Sequence, residues 1–223
     1  MKRNIIGIIL SGGVGRRMDY QNKGLVPLSN AGKKNNFKAG LRAEIEASTD
    51  QEAKQPLIAH VIERISPQVD QLYISANADL ERYEVFQLPI IQDCAKWRGK
   101  GPLAGIASLL ETLEDDDIMQ VVSCDGPLIP EDLVLRLGAA RKEDEALVVY
   151  PVTEERSHYL YLQGRVKELR VIAGILETED LRIRALLEAV SAKPVQFPDE
   201  QTFLNCNSMQ DIAKLEELMN EEL

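Results

Sequence analysis

An apolar, β-branched run near the amino terminus ends in glycines and basic residues, and this stretch constrains the chain more than any other. The run covers residues 5–10 and predicts a buried strand. The residues that follow it are small or cationic: Ser11, Gly12, Gly13, Gly15, Arg16, Arg17 and Lys23. Glycines let a ligand approach the backbone, whose N–H groups face phosphate oxygens, and the cations add to that attraction. The stretch therefore predicts a nucleotide-binding loop after the first strand.

Two common glycine motifs do not describe this loop. Neither Gly12 nor Gly13 is followed by Gly-Lys-Ser/Thr at the spacing of a P-loop. The fingerprint G-x-G-x-x-G also fails, because Met18 stands where the third glycine after Gly13 and Gly15 is needed. An ordinary tight turn is the simpler alternative. A tight turn alone does not explain the three cations Arg16, Arg17 and Lys23.

The charge balance narrows the class of ligand. The chain has 223 residues and a net charge of −10, so long-range repulsion argues against nucleic acid and anionic membranes as partners. A second basic cluster, formed by Lys96, Arg98 and Lys100, stands out against this acidic background and lies beside glycines. Two such clusters indicate a small polyanionic ligand. For the second cluster, scattered solvated cations are the alternative.

Sequence composition also predicts the cellular compartment of the protein. No apolar stretch approaches the ~18 residues of a membrane span, and the charged first residues lead directly into the strand without room for a signal peptide. The chain has three cysteines, an odd number without C-x-x-C spacing, which favours neither a disulfide framework nor a zinc site. We expect a cytoplasmic protein.

Predicted strands and helices alternate along the chain. Strands are expected at residues 69–75, 90–91, 118–123, 146–150 and 159–162, and helices after Pro56, Pro102, Pro130 and Ser208 and over 181–190. The alternation predicts an α/β fold of three layers, α/β/α, with a mostly parallel, Rossmann-like sheet. We expect one domain over residues 1–223, with a loop insertion at 29–54 and a short helix near 39–47. Lysines of the insertion could contact a partner, although a solvated insertion without function is the simpler interpretation.

Ligands of such sheets bind at the carboxyl ends of the strands. That rule selects the glycine loop, residues 75–77, Asp93 and Asp125. Asp125 is the best catalytic candidate, because Gly126-Pro127 ends the strand behind it and a carboxylate there can hold Mg²⁺ beside substrate phosphates. The alternative is that Asp125 only caps the turn. His60 lacks nearby ligands at metal spacing and is interpreted as structural.

These residues resemble the molybdenum cofactor guanylyltransferases, within the wider nucleotidyltransferase fold. The resemblance covers nearly the whole chain apart from residues 29–54. The matching segments are Leu10-Ser11-Gly12-Gly13, Arg16-Arg17-Met18, Lys23-Gly24-Leu25, Pro56-Leu57, His60-Val61, Asp93, Gly101-Pro102-Leu103-Ala104-Gly105, Cys124-Asp125, Pro127, Ile129-Pro130, His158, Phe203, Asn205 and Asn207.

The resemblance implies GTP and molybdopterin as substrates and Mg²⁺ as cofactor, with a guanine dinucleotide cofactor and pyrophosphate as products. The implied nucleotide-binding residues are Leu10, Ser11, Gly12, Gly13, Lys23, Asn77, Asp93 and Asp125. Arg17, Lys23 and Asp125 are the implied catalytic residues, and Asp125 is also the metal ligand. Asn205 and Asn207 would lie on the molybdopterin side. Other cofactor-biosynthesis proteins and molybdoenzyme chaperones are further candidate partners.

Departures from the family pattern motivate alternatives. Asn22 replaces the usual Asp before the lysine, and Ser75 replaces the first Asn of Asn-x-Asn. One alternative is therefore a non-catalytic accessory protein that binds GTP or the cofactor. A CTP-dependent molybdopterin cytidylyltransferase is a second, although Leu10-Ser11-Gly12-Gly13 looks like the guanylyl type. A sugar-phosphate nucleotidyltransferase is a third.

Overall fold

The computed structural model describes residues 3–11, 22–29, 54–143 and 145–221. Five of the residues named in the predicted loop lie outside this described part: Gly12, Gly13, Gly15, Arg16 and Arg17. The helix predicted near residues 39–47 also lies outside it.

The centre of the fold is a seven-stranded sheet. Its strands are β1 (Ile5–Leu10), β4 (Gln71–Ser75), β5 (Ile90–Ile91), β6 (Ile118–Ser123), β7 (Val148–Val152), β8 (Gln163–Arg165) and β9 (Lys193–Gln196). They are ordered β5-β4-β1-β6-β8-β7-β9. Every neighbouring pair is parallel except the two that involve β8. The prediction of a mostly parallel sheet is confirmed.

The helices follow the strands along the chain. They are α1 (Leu57–Ile65), α2 (Leu80–Glu84), α3 (Pro102–Leu110), α4 (Leu133–Glu143), α5 (Val166–Leu169), α6 (Ile172–Ile175), α7 (Ile183–Ala189) and α8 (Met209–Glu221). Short 3-10 helices cover Lys23–Leu25, Ser66–Gln68, Ala95–Trp97, Tyr159–Tyr161 and Gln201–Phe203. Within the described ranges, no helix has the length and apolar character needed to cross a membrane.

Strand β1 shows how the sheet separates two cores. Ile9 belongs to a buried cluster that includes residues of α1 and α4. Ile6 and Ile8 belong to a second cluster, formed with α3, α5, α6 and α7. Successive strand residues point to opposite faces, so each face of this strand is covered by helices. The predicted three-layer arrangement is confirmed.

Residues 159–162 do not form the predicted strand. The chain reverses direction between β7 and β8, and Tyr159–Tyr161 forms a 3-10 helix in which the Tyr161 N–H donates to the His158 carbonyl at 3.1 Å. Strand β8 begins only at Gln163. Tyr161 and Leu162 are buried in this reversal, so the apolar pattern of the segment imitates a strand.

The segments that flank the predicted insertion are joined. Strands β2 (Pro27–Ser29) and β3 (Lys54–Pro56) pair antiparallel in a separate two-stranded sheet. Leu28 and Gln55, which face each other in this pairing, are fully buried. The two strands therefore hold both ends of the intervening chain at one place.

Helix α3 packs closely on the sheet at Gly105. A Cβ added there would lie 2.3 Å from Ser75 Oγ and 3.5 Å from Leu10 Cδ2. We expect Gly105→Ala to lower the free energy of unfolding by roughly 1–3 kcal/mol, because the added methyl overpacks this contact. Denaturant unfolding measures the change.

Two variants separate overpacking from helix propensity. Gly174→Ala, where an added Cβ meets nothing within 4 Å, should be neutral or stabilising by up to about 1 kcal/mol. In a Ser75→Ala background the cost of Gly105→Ala should shrink. An equal cost in both backgrounds would show that the Ser75 hydroxyl is not the source.

Candidate functional site

Four parallel strands deliver the predicted polar residues to one edge of the sheet. Ser11 follows β1, Asn77 follows β4, Asp93 follows β5 and Asp125 follows β6. A cavity of about 490 Å³ lies at this edge. Its lining residues are Leu10, Lys23, Ser75, Asn77, Asp93, Arg98, Gly99, Gly101, Pro102, Gly105, Ser123, Cys124, Asp125 and Leu160.

Five predicted site residues line this cavity: Leu10, Lys23, Asn77, Asp93 and Asp125. Ser11 is not among the lining residues. It is fully buried, and its hydroxyl lies 2.5 Å from the Tyr83 hydroxyl.

The Asp125 carboxylate is fixed by side chains on both sides. Ser123 Oγ donates to Oδ1 at 2.6 Å, and Lys23 Nζ lies 3.4 Å from Oδ2. Asp125 is 8% exposed, so most of its surroundings are protein. The donors to its carboxylate in the described part of the chain are side chains rather than amides of the following turn. This pattern favours a site residue over a simple turn cap.

Lys23 reaches the site from a short 3-10 helix that packs against Ser11 and Cys124, the residues that directly follow β1 and β6. A Cβ on Gly24 would lie 2.4 Å from Ser11 Oγ and 3.3 Å from Cys124 Sγ. Only glycine allows this approach without displacement of those side chains. Lys23 Nζ also donates to Asn207 Oδ1 at 2.5 Å, so its ammonium is held between Asp125 and Asn207.

Asn205 and Asn207 belong to a segment anchored beside Asp125. The Cys206 N–H donates to the Asp125 carbonyl at 2.7 Å. Tyr161 Oη donates to Asn205 Oδ1 at 3.0 Å, which orients the amide of Asn205. The structure thus places both asparagines next to Lys23 and Asp125, and neither is among the residues that line the cavity.

At the opposite end of the cavity, the residues after β4 and β5 are linked. The Asp93 N–H donates to Asn77 Oδ1 at 2.8 Å. The Asp93 residue is 7% exposed and lines the cavity. This hydrogen bond fixes the relative position of two predicted nucleotide contacts.

His158 lies in a buried network next to the anchored segment. Its ring stacks on Phe203, with centroids 4.4 Å apart, and Nε2 lies 3.1 Å from Glu200 Oε2. Glu200 also accepts hydrogen bonds from Thr153 and Arg156. Burial lowers the pKa of His158, against the opposing charge of Glu200. Burial of Glu200 is outweighed by the hydrogen bonds from Thr153 and Arg156, so the pKa of Glu200 is also lowered.

Several residues that support the site were not predicted from the sequence. Tyr83, Tyr161 and Glu200 contact Ser11, Asn205 and His158, respectively. Each contact joins residues that are more than 40 positions apart in the sequence. No local spacing signals such pairs. Ser123 could have been found, because a hydroxyl two residues before Asp125 is within reach of its carboxylate.

No group of three or more His, Cys, Asp or Glu side chains in the described ranges forms a metal cluster. His60 is buried on α1, and its structural role stays a prediction.

The sheet and its covering helices form the α/β fold of the nucleotidyltransferases. Among solved structures, molybdopterin-guanine dinucleotide biosynthesis protein A from Archaeoglobus fulgidus aligns with a TM-score of 0.69 and 19% identity, over 97% of this chain and 99% of the other. A CMP:2-keto-3-deoxy-manno-octonic acid synthetase complexed with CTP aligns with a TM-score of 0.69 and 14% identity, over 100% of both chains. These similarities establish the fold.

Sequence comparison gives the family. Residues 7–195 match the family described as MobA-like NTP transferase domain. The molybdenum cofactor guanylyltransferase of Haemophilus influenzae is 30% identical over 96% of this chain and 98% of its own length. The protein of the same name from Burkholderia lata is 32% identical over 95% of each chain. The chain belongs to the MobA-like NTP transferase family, and the resemblance seen in its sequence is confirmed.

The lowered pKa of His158 predicts a pH dependence of stability. Between about pH 7 and pH 5 the unfolded chain takes up a proton on this residue more readily than the folded protein does. The free energy of unfolding therefore decreases as the pH is lowered from 7 to 5. We expect His158→Gln to be less stable than wild type at pH 7, since it loses the stacking on Phe203. Its deficit should shrink toward pH 5. Denaturant unfolding across this range measures both; parallel profiles would contradict the assignment to His158.

Proposed function

We propose that this protein transfers GMP from GTP to molybdopterin, forms the guanine dinucleotide cofactor and releases pyrophosphate. The observation that carries the proposal is the placement of Lys23 and Asp125 at one end of a cavity in a chain that matches molybdenum cofactor guanylyltransferases over nearly its full length. The nucleotidyltransferase class follows from the family. The choice of GTP and molybdopterin follows the names of these relatives.

The order of the strands supports a nucleotide lying across the site. Asp93 follows β5 and Asp125 follows β6, and three strand spacings separate β5 from β6. At ~4.8 Å each, these spacings amount to roughly 14 Å. This span accommodates a nucleoside at the β5 end with its phosphates at the β6 end. Lys23, the cation that contacts Asp125, is then next to the phosphates.

The chemistry is a displacement at the α-phosphorus of GTP. A terminal phosphate oxygen of molybdopterin forms the new P–O bond while the bond to the β-phosphate oxygen breaks and pyrophosphate leaves. Such a reaction depends on positioning and electrostatics more than on covalent participation of the protein. Lys23 would stabilise the charge that develops on the phosphate oxygens. Asn207 would keep the Lys23 ammonium in place.

Asp125 fits Mg²⁺, the proposed cofactor. Its carboxylate offers oxygen ligands at the cavity wall, and Mg²⁺ is commonly held by one or two carboxylates together with substrate phosphates and water. When bound there, Mg²⁺ would neutralise charge on the phosphate oxygens. Ser123 and Lys23 orient the carboxylate for this purpose.

The other predicted residues complete the proposal. Asn77 and Asp93 would contact the nucleoside, and Asn205 and Asn207 the molybdopterin side. Ser11, Gly12, Gly13 and Arg17 remain predicted contacts to the nucleotide. We propose a cytoplasmic protein, with other cofactor-biosynthesis proteins or molybdoenzyme chaperones as further partners.

The reaction itself is the direct test. Incubation of the protein with molybdopterin, GTP and Mg²⁺ should yield guanine dinucleotide and pyrophosphate, both measurable by chromatography and coupled pyrophosphate assay. Product from CTP but not from GTP would reassign the protein to cytidylyl transfer. Tight GTP binding without turnover would favour the accessory protein. Omission of Mg²⁺ should abolish product.

Asp125→Asn tests the carboxylate. This isosteric change keeps the shape of the side chain but removes its charge and one of its two acceptor oxygens, and we expect the transfer rate to fall by on the order of a hundredfold or more, with the fold intact by circular dichroism. Asp115→Asn is the matched control, because Asp115 is exposed and precedes the opposite end of β6. Near-normal activity of Asp125→Asn would refute the catalytic role.

A further inference from the structure

The turn between β5 and α3 presents a cation to the cavity. Lys100 N–H donates to the Trp97 carbonyl at 3.0 Å. Arg98 has φ −54° and ψ 130°, and Gly99 has φ 79°. These values describe a type II β-turn, in which the position of Gly99 favours glycine. Trp97 is 4% exposed and anchors the start of the turn. Arg98 is therefore carried by a fixed backbone.

Of the three cations in this second basic cluster, two are engaged with other parts of the protein. Lys96 Nζ lies 2.7 Å from Glu111 Oε1 and 4.0 Å from the centroid of the Trp97 ring. Lys100 Nζ donates to the Leu176 carbonyl. Arg98 is exposed and lines the cavity. Among the described residues, no acidic side chain lies within ion-pair distance of its guanidinium. Arg98 is thus the member of the cluster that is available to a ligand.

The position of the turn places Arg98 at the nucleoside end of the site. The turn follows Asp93 along the chain, and Asp93 follows β5, the edge strand of the sheet. Lys23 contacts Asp125 beyond β6, three strands away. If the phosphates lie at Lys23, the base lies on the wall that holds Asp93 and Arg98.

We propose that Arg98 recognises the guanine base, with its guanidinium donating to the O6 and N7 atoms. This inference rests on the proposed GTP-dependent function. Arginine pairs with these two acceptors through two parallel N–H donors, and cytosine, a pyrimidine, has no N7 atom and no such edge. Asp93 on the same wall offers acceptors for the N1–H and N2–H donors of guanine. Together, a carboxylate and a guanidinium complement two edges of one base.

A GTP analogue in which carbon replaces the N7 atom tests the proposed contact directly. We would measure Kd by calorimetry, with Mg²⁺ present, for GTP, 7-deaza-GTP and ITP, using wild type and Arg98→Met. Wild type should bind 7-deaza-GTP more weakly than GTP, by on the order of tenfold. Arg98→Met should bind GTP more weakly by a similar factor and should no longer distinguish GTP from 7-deaza-GTP. The ratio of ITP to GTP affinity should stay unchanged, because ITP lacks only the amino group on the other edge.

Two further variants separate base recognition from general attraction of phosphate. Arg98→Lys keeps the charge but loses the paired donors, so it should behave like Arg98→Met toward 7-deaza-GTP. Lys96→Met removes a neighbouring cation that is engaged with Glu111, and it should leave all three affinities near wild type. Restoration of GTP affinity in Arg98→Lys would identify a phosphate contact and overturn the proposal.

The Kd for CTP, measured with wild type in the same way, separates this inference from the function on which it rests. A wild-type protein that prefers GTP to CTP, combined with an Arg98→Met variant that still discriminates against 7-deaza-GTP, overturns only the role of Arg98. A wild-type protein that binds GTP no better than CTP overturns the proposed guanine specificity together with the role of Arg98.

Discussion

The candidate site depends on one contact, in which the Lys23 ammonium is held between the Asp125 carboxylate and the Asn207 amide. It joins three distant parts of the chain: the segment after β1, the end of β6 and the segment before α8. The side chains of Lys23 and Asp125 retain 25% and 11% of their exposure, so water weakens their attraction and its contribution to stability is modest. Its importance is geometric. It positions the Lys23 ammonium relative to the end of β6, where Ser123 also holds the Asp125 carboxylate.

The supports of this contact are largely backbone features. Gly24 permits the approach of Lys23, and the bond from the Cys206 N–H to the Asp125 carbonyl fixes Asn207. Tyr161 contributes on the far side, because a Cβ on Gly126 would lie 2.0 Å from its hydroxyl. Side chains thus pack directly against the backbone at Gly24 and at Gly126, on either side of the Asp125 carboxylate. Substrate charge can then be met by groups that need little rearrangement.

Much of this arrangement was readable from the sequence, for identifiable reasons. Apolar runs such as residues 118–123 predict buried strands, and the ends of parallel strands converge, so Asp93, Asn77 and Asp125 could be grouped. The failures have physical causes as well. Residues 159–162 look like a strand because both a strand and a buried reversal select apolar side chains. Contacts such as Ser11 with Tyr83 depend on tertiary packing across 72 positions, which local spacing does not encode.

The pairing of β2 with β3 has a consequence for how the family can vary. Leu28 and Gln55 are fully buried as facing partners, so the two ends of the intervening chain meet regardless of what connects them. The length of that connection then affects folding mainly through loop-closure entropy, and a doubling costs only about 0.6 kcal/mol. The paired strands lie between Lys23 and this connection, because β2 begins at Pro27, four residues after Lys23. A change in the connection can therefore leave the backbone at Lys23 in place. Evolution can lengthen or rewrite this part of the protein while the end of the cavity that holds Lys23 and Asp125 keeps its geometry.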